Sequence, residues 1–233
     1  MLSRAANEVI FMIIGDSKPL EEILEMIKGR EKVLVLGCRG CVTVCNVGGE
    51  KEVGILATSL RIARKKAGLP DTIEEMTLER QCDPEYIEEL ADVAANYDAI
   101  ISIACGVGPQ FVSERYPEVR VFPGINTTFI GGAVEHGVWA ERCQSCGNCL
   151  VHNFGGLCPI ARCSKSLMNG PCGGSANGKC EISPEVDCVW HLIVEKMDKM
   201  GRLDELKQVW PVKNWLTSRD GGPRKRIRED LKQ

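Results

Sequence analysis

The sequence predicts an α/β protein, a small doubly wound parallel sheet with helices on both faces, followed by an irregular cysteine-rich domain and C-terminal helices. Three observations lead there. Apolar runs of strand length alternate with helical stripes between about residues 31 and 130. Eight of the thirteen cysteines then fall within residues 143–188, where regular periodicity almost vanishes under Cys, Gly, Pro and Asn. Helical spacing returns directly afterwards in "CVWHLIVEKMDKMG".

Each element has its own signal. In "SKPLEEILEMIKG", Pro19 sits near a helix start, Leu20, Ile23, Leu24 and Ile27 form one stripe, and Gly29 ends it. "KVLVLG" is a continuous apolar strand, followed by a cysteine-bearing turn and a second helix striped by Val53, Leu56, Leu60, Ala63 and Ala67. "TIEEMTLERQC" reads as a half-polar strand, after which Asp83 and Pro84 cap a helix whose apolar face is Ile87, Leu90, Ala94 and Tyr97. "AIISIAC", a short helix beginning near Pro109, and "VRVFPG" repeat the pattern. Such alternation implies parallel strands joined by right-handed connections. The helix after the cysteines carries Trp190, Ile193, Val194 and Met197 on one core-packing face and stops at Gly201. The last sixteen residues, "SRDGGPRKRIREDLKQ", have almost no apolar content and read as an arm, disordered or ordered by a partner. The expected domains are therefore residues 1–140, residues 141–216 and a charged tail over 217–233.

Composition narrows the setting. With 233 residues and 44% hydrophobic content the chain can bury a sizeable core. The longest early apolar run, "VIFMIIG", lies between Glu8 and Asp16 and is too short to span a bilayer. No secretory signal pattern opens the chain, so a cytoplasmic location is expected. Basic residues are scattered, and the one dense run, in "PRKRIRED", is followed at once by acids, which argues against nucleic acid as a partner. In a reducing compartment, clustered thiols in odd number point to metal or redox chemistry rather than to disulfides.

Five cysteines belong to the first half. Cys38 ends the first strand, Cys41 and Cys45 follow it, and Cys82 and Cys105 end the second and third strands. Strand ends on one edge of a parallel sheet lie side by side, so the fold gathers these thiols. Four of the five would complete one 4Fe-4S cluster, with the fifth as a neighbour. Cys38, Cys41 and Cys45 are spaced C-x2-C-x3-C, the reverse of the order found in radical S-adenosylmethionine enzymes. "CGVGPQ" lacks the third glycine of a dinucleotide fingerprint, and its glycines are expected to let backbone N–H groups approach cluster sulfurs.

In the second half, Cys143, Cys146 and Cys149 form a C-x2-C-x2-C clamp, and Cys158 precedes Pro159. Eight residues separate Cys149 from Cys158, where bacterial ferredoxins have three. Cys158, Cys163, Cys172, Cys180 and Cys188 supply the fourth position and a second site, making this a metal-cluster domain. Eight thiols fit two 4Fe-4S clusters, or one cluster and one tetrahedral zinc. Gaps of four, eight, seven and seven residues between the later thiols differ from zinc knuckles and favour iron-sulfur. Arg80, Arg142, Arg162, Lys165 and Lys179 lie beside these cysteines, where positive charge would raise a cluster's potential. His136, His152 and His191 show no ligand or triad spacing, so no catalytic residue is assigned.

The blocks "KPLEEI", "GCRGCVTVCNVGGEKEV", "ERQCD", "SIACGVGPQ", "INTTFIGG", "ERCQSCGNCL", "GGLCPIARCSKSLMNGPCGGSANGKCE" and "CVW" together resemble the small iron-sulfur (MetV-type) subunits of methylenetetrahydrofolate reductases from acetogens and related anaerobes. The segment 141–190 also resembles the cysteine-rich domain named for the C-terminus of such reductases, and "NGPCGG" is the most specific block. The resemblance covers residues 12 to 216, marking the first eleven as an extension or a misplaced start. It implies a non-catalytic electron-transfer subunit in the methyl branch of the Wood-Ljungdahl pathway, carrying two to three 4Fe-4S clusters, or a zinc in place of one. The implied partner is a MetF-type flavoprotein subunit that holds the flavin and reduces 5,10-methylenetetrahydrofolate to 5-methyltetrahydrofolate. Electron input would come from an HdrABC/MvhD-like or NADH-oxidising module, or from ferredoxin. Two alternatives belong to other classes: a zinc-thiolate methyltransferase or corrinoid partner, and a structural zinc scaffold of the reductase.

Overall fold

The computed structural model describes residues 13–231, so the extension expected over the first eleven lies outside the described residues. The chain divides into two compact units, Met1–Ala140 and Glu141–Gln233.

The first unit is α/β. Strands β1 (Ile13–Ser17), β2 (Val33–Cys38), β3 (Ile73–Leu78), β4 (Ala99–Ile103), β5 (Arg120–Pro123), β6 (Ile125–Glu135) and β7 (Val138–Cys143) alternate with helices α1 (Leu20–Met26), α2 (Cys41–Val44), α3 (Glu50–Lys66), α4 (Pro84–Ile87) and α5 (Val107–Arg115), and β7 runs across the boundary between the units. Four strands make an all-parallel sheet in the order β3-β2-β4-β5. Every residue of β2 and β4 is buried, as their unbroken apolar runs require of central strands covered on both sides. Alternation along β2 then divides the core. Val33 and Val35 pack with Ile23 and Ile27 of the α1 region and with Val53, Ala57 and Leu60 of α3. Leu34 and Leu36 pack on the opposite face with Ile87, Leu90 and Val112.

Two features depart from the expected fold. β1, β6 and β7 form a separate three-stranded sheet in which β1 pairs antiparallel with β6, so the parallel sheet ends at Pro123 and not near residue 130. "INTTFIGGAVEHGVW" is β-branched and aromatic with a His-Gly turn, Gly137 having φ +78°, which is a hairpin signal. The helix capped by Asp83 is also short: α4 gives way to 3-10 turns at Glu88–Leu90 and Ala94–Asn96. The hydroxyl of Tyr116 donates to the Ile87 carbonyl (2.8 Å), and the Ala91 N–H bonds Glu88 O (3.0 Å) instead. Ile87, Leu90 and Ala94 are nonetheless buried together.

The second unit contains α6 (Pro159–Arg162), a small ribbon of β8 (Lys179–Cys180) and β9 (Ser183–Asp187), and α7 (Val189–Lys199). Phe154, Trp190, Ile193 and Met197 form its core. Phe154 meets Trp190 edge-on at 5.6 Å, and the Trp190 Nε1–H donates to Leu167 O (3.0 Å). Val194 is only half-buried, and Gly201 (φ +65°) follows the helix end. Beyond it the expected C-terminal helices are 3-10 turns. Among the described residues no helix is long and apolar enough to cross a membrane.

Arg64 in α3 is 4% exposed, and its guanidinium donates to Glu31 O and Arg30 O at 2.6 Å each, tying the loop before β2 to the helix. Arg64→Met should lower the unfolding free energy by about 1–3 kcal/mol, because it strands those carbonyls. Urea denaturation measures it, and an unchanged midpoint would refute the tie.

Candidate metal centres

The strand order places β2 between β3 and β4, so their carboxyl ends share one edge. The connections leaving β2 and β4 run to opposite sides of the sheet, which makes the gap between them a topological switch point, the usual ligand crevice of such sheets. Cys38 is the last residue of β2, Cys41 opens α2, and Cys45 follows α2. Cys82 and Cys105 do not end strands. They lie four and two residues beyond, in the loops after β3 and β4.

Electrostatics separates the five thiols. Burial pushes the Cys38 thiol up, Cys105 and Cys41 add to this, and the N–H groups of Gln81 and Gly40 bonded to it oppose the rise. Burial also raises Cys82, followed by the neighbouring thiols of Cys38, Cys105 and Cys41. Cys38 and Cys82 thus share two of their neighbouring thiols, Cys41 and Cys105. Cys45 is raised by burial too, but Cys41 is the one thiol of that group acting on it, along with Asp16. Its Sγ donates to Val42 O (3.6 Å) and Ile13 O (3.9 Å), so it is occupied by α2 and β1. The glycine nest expected in "CGVGPQ" is corrected: Gly106 N–H donates to Thr127 Oγ1 (2.8 Å) and Gly108 N–H to Cys105 O (2.8 Å). Gly40 and Gln81 provide the amides instead, and sequence reasoning missed both.

In the second unit Cys163, Cys172, Cys180 and Cys188 line one hollow, together with Arg162, Lys165 and Ser175. Cys188 precedes the first turn of α7. Burial would raise its thiol, but bonds from the Ser175 side chain and from the N–H groups of His191 and Trp190 outweigh this and lower it. Cys158 caps α6, its Sγ accepting from Ala161 N (3.4 Å). Cys143 Sγ accepts from Ser145 N (3.3 Å), and Cys146 Sγ donates to Asn148 O (3.5 Å). The tail is not a free arm. Thr217 Oγ1 donates to Cys146 O (2.8 Å), and Arg224 Nη1 donates to Ser145 O (2.6 Å) and Thr217 O (3.1 Å). Thr217 O comes so close that a Cβ on Gly147 (φ +78°) would lie 2.1 Å from it.

Residues 122–216 match the family model described as methylene-tetrahydrofolate reductase C terminal. Over that span the chain is similar to the C-terminal part of methylenetetrahydrofolate reductases. The reductase match takes in all eight cysteines of the second half and none of the first five. No curated protein and no solved structure matches the chain.

Within the matched span, Lys165 pairs with Glu181, Lys179 pairs with Asp187 (2.6 Å), and Arg142 donates to Glu141 O (2.8 Å). Burial lowers the pKa of Arg162, and Cys158 acts on it in the opposite sense. Arg80, outside the span, is exposed beside Gln81. His191 lies 3.3 Å from Glu195, while His136 falls in the β6–β7 turn and His152 in a 3-10 turn, and none joins the thiols into a triad. All thirteen cysteines are free. Among the described residues no three His, Cys, Asp or Glu side chains converge tightly enough to hold a single metal ion. Tetrahedral zinc needs sulfurs roughly 3.8 Å apart, given its bond length, whereas a four-iron cluster takes one thiolate per iron and so accepts a wider set.

Two outcomes are expected. Arg224→Ala should speed amide hydrogen exchange at residues 145–148 by about tenfold, since it releases the Ser145 carbonyl on that loop and the carbonyl of Thr217, whose hydroxyl bonds Cys146 O, and unchanged exchange would mean Arg224 does not hold it. In metal-free protein, the thiolate is the form that alkylates, so a lowered thiol reacts at lower pH and a raised one at higher pH. The pH–rate profile of Cys188 should therefore be shifted below the ordinary cysteine profile and that of Cys38 above it, read residue by residue with iodoacetamide and mass spectrometry.

Proposed function

We propose that this chain is the electron-conducting iron-sulfur subunit of a methylenetetrahydrofolate reductase complex. The observation that carries this reading is the convergence of Cys38, Cys41, Cys82 and Cys105, from three different loops, at the switch point of the sheet. The donor set fits a cluster: it is all thiol, backbone N–H groups already point at Cys38, and soft thiolates suit iron-sulfur centres. Cys45 is the fifth, non-ligand thiol in this assignment. In the second unit, Cys163, Cys172, Cys180 and Cys188 hold one centre, and Cys143, Cys146, Cys149 and Cys158 hold another. Bound there, clusters supply one-electron carriers. The chain's own residues position thiolates, enclose them, and offset their charge with Arg162 and Lys165.

In this reading the reduction of 5,10-methylenetetrahydrofolate falls to the flavin of a MetF-type partner. Electrons reach this chain from an HdrABC/MvhD-like or NADH-oxidising module, or from ferredoxin.

Iron, acid-labile sulfide and zinc, measured on anaerobically purified protein with EPR after dithionite reduction, test the reading. The expected content is about eight to twelve irons per chain, two or three four-iron clusters. Cys82→Ser should remove about four of them and Cys45→Ser none. Zinc without iron would overturn the proposal in favour of a zinc-thiolate methyltransferase or a structural scaffold.

A further inference from the structure

Gln81 is a polar loop residue with no exposed surface. Its Nε2 donates to Leu36 O (2.8 Å) and Gly37 O (2.9 Å), the carbonyls near the carboxyl end of β2. Its Oε1 accepts from Ser102 Oγ (2.6 Å) in β4, and Ser102 is itself fully buried. One carboxamide thus bonds both strands that flank the switch point. A buried amide left without partners is costly, and so are the carbonyls it satisfies, which makes this bridge a strict constraint on the loop that carries it.

That loop carries the chemistry. Cys82 is the residue after Gln81, and Cys38 is the residue after Gly37, whose carbonyl the amide holds. α5 presses on the same amide. A Cβ on Gly108 would come within 3.0 Å of Gln81 Cβ and 3.1 Å of its Oε1, and 2.6 Å from Ala104 Cβ, so glycine is required for that approach.

We propose that Gln81 is the positioning residue of the N-terminal thiol group: its enclosed carboxamide locks the ends of β2 and β4 together next to Cys38 and anchors the loop that carries Cys82. A Met at this position keeps the length of the side chain and none of its hydrogen bonds. The Cys82 loop then loses its anchor, while Cys45, held by α2 and β1, keeps its own. The consequence for metal binding rests on the cluster reading above, whereas the placement of the thiols does not.

The test uses the full chain as wild type, Gln81→Met and Ser102→Ala. In metal-free protein without denaturant, iodoacetamide labelling followed by mass spectrometry should show Cys38 and Cys82 reacting about tenfold faster in Gln81→Met, with Cys45 and the eight later cysteines at wild-type rates. After anaerobic reconstitution the same variant should carry about four fewer irons, the content of one cluster. Wild-type labelling of Cys38 and Cys82 would overturn the proposal, and so would a uniform rise over all thirteen thiols, which marks general loss of stability. If Gln81→Met does not fold, Ser102→Ala, which removes one bond of the bridge, decides by the same labelling pattern. A wild-type chain that takes up zinc and no iron would sink the cluster reading and leave the labelling result to judge Gln81 alone.

Discussion

Parallel strands deliver all their carboxyl ends to one edge, and the candidate chemistry of the first unit depends on that constraint. β2, β3 and β4 are neighbours in the order β3-β2-β4, so loops that begin at residues 39, 79 and 104 emerge at one edge. Had any of the three run antiparallel, its cysteine would lie at the opposite edge. The pairing in turn rests on β2 and β4, whose residues, apolar but for Ser102, are buried from both faces by helices and resist any one-residue slip.

Bringing ends together does not by itself give a ligand set. Burial, more than the neighbouring thiols, pushes Cys38 and Cys82 up. The loops must also be held in place, and the polar bridge through Gln81 ties β2 to β4 beside them. The second unit meets the same demand with less scaffold. Its core is small, centred on Phe154 and Trp190, and its cysteine loops are pinned individually: Cys158 and Cys188 at helix starts, and the loop of Cys146 by Thr217 and Arg224. A long irregular segment with so little core is the kind that metal binding stabilises.

Much of the fold was legible because burial leaves a period in the chain. The stripes Leu20–Ile27 and Val53–Leu60, the continuous runs of β2 and β4, and the Asp83–Pro84 cap all appear where spacing places them. Three features were illegible for one reason: each depends on a partner remote in sequence. The pairing of β1 with β6 joins residues more than a hundred apart, Tyr116 diverts the helix after Asp83 from a distance of 29 residues, and Arg224 reaches back 79 residues to Ser145.

The sequence by itself determined the element types, the number of thiols and their soft-ligand chemistry, since these follow from residue identity and local spacing. Only the tertiary structure decided that the Cys45 sulfur meets β1 while the loops carrying Cys38, Cys41, Cys82 and Cys105 leave one edge of the sheet. It also decided that Cys163, Cys172, Cys180 and Cys188 line one hollow, and that Gln81 bridges two strands. Local spacing governs what a segment can become. Which side chains meet is set by strand order and register, and those are settled by the burial of apolar surface between segments far apart in the chain.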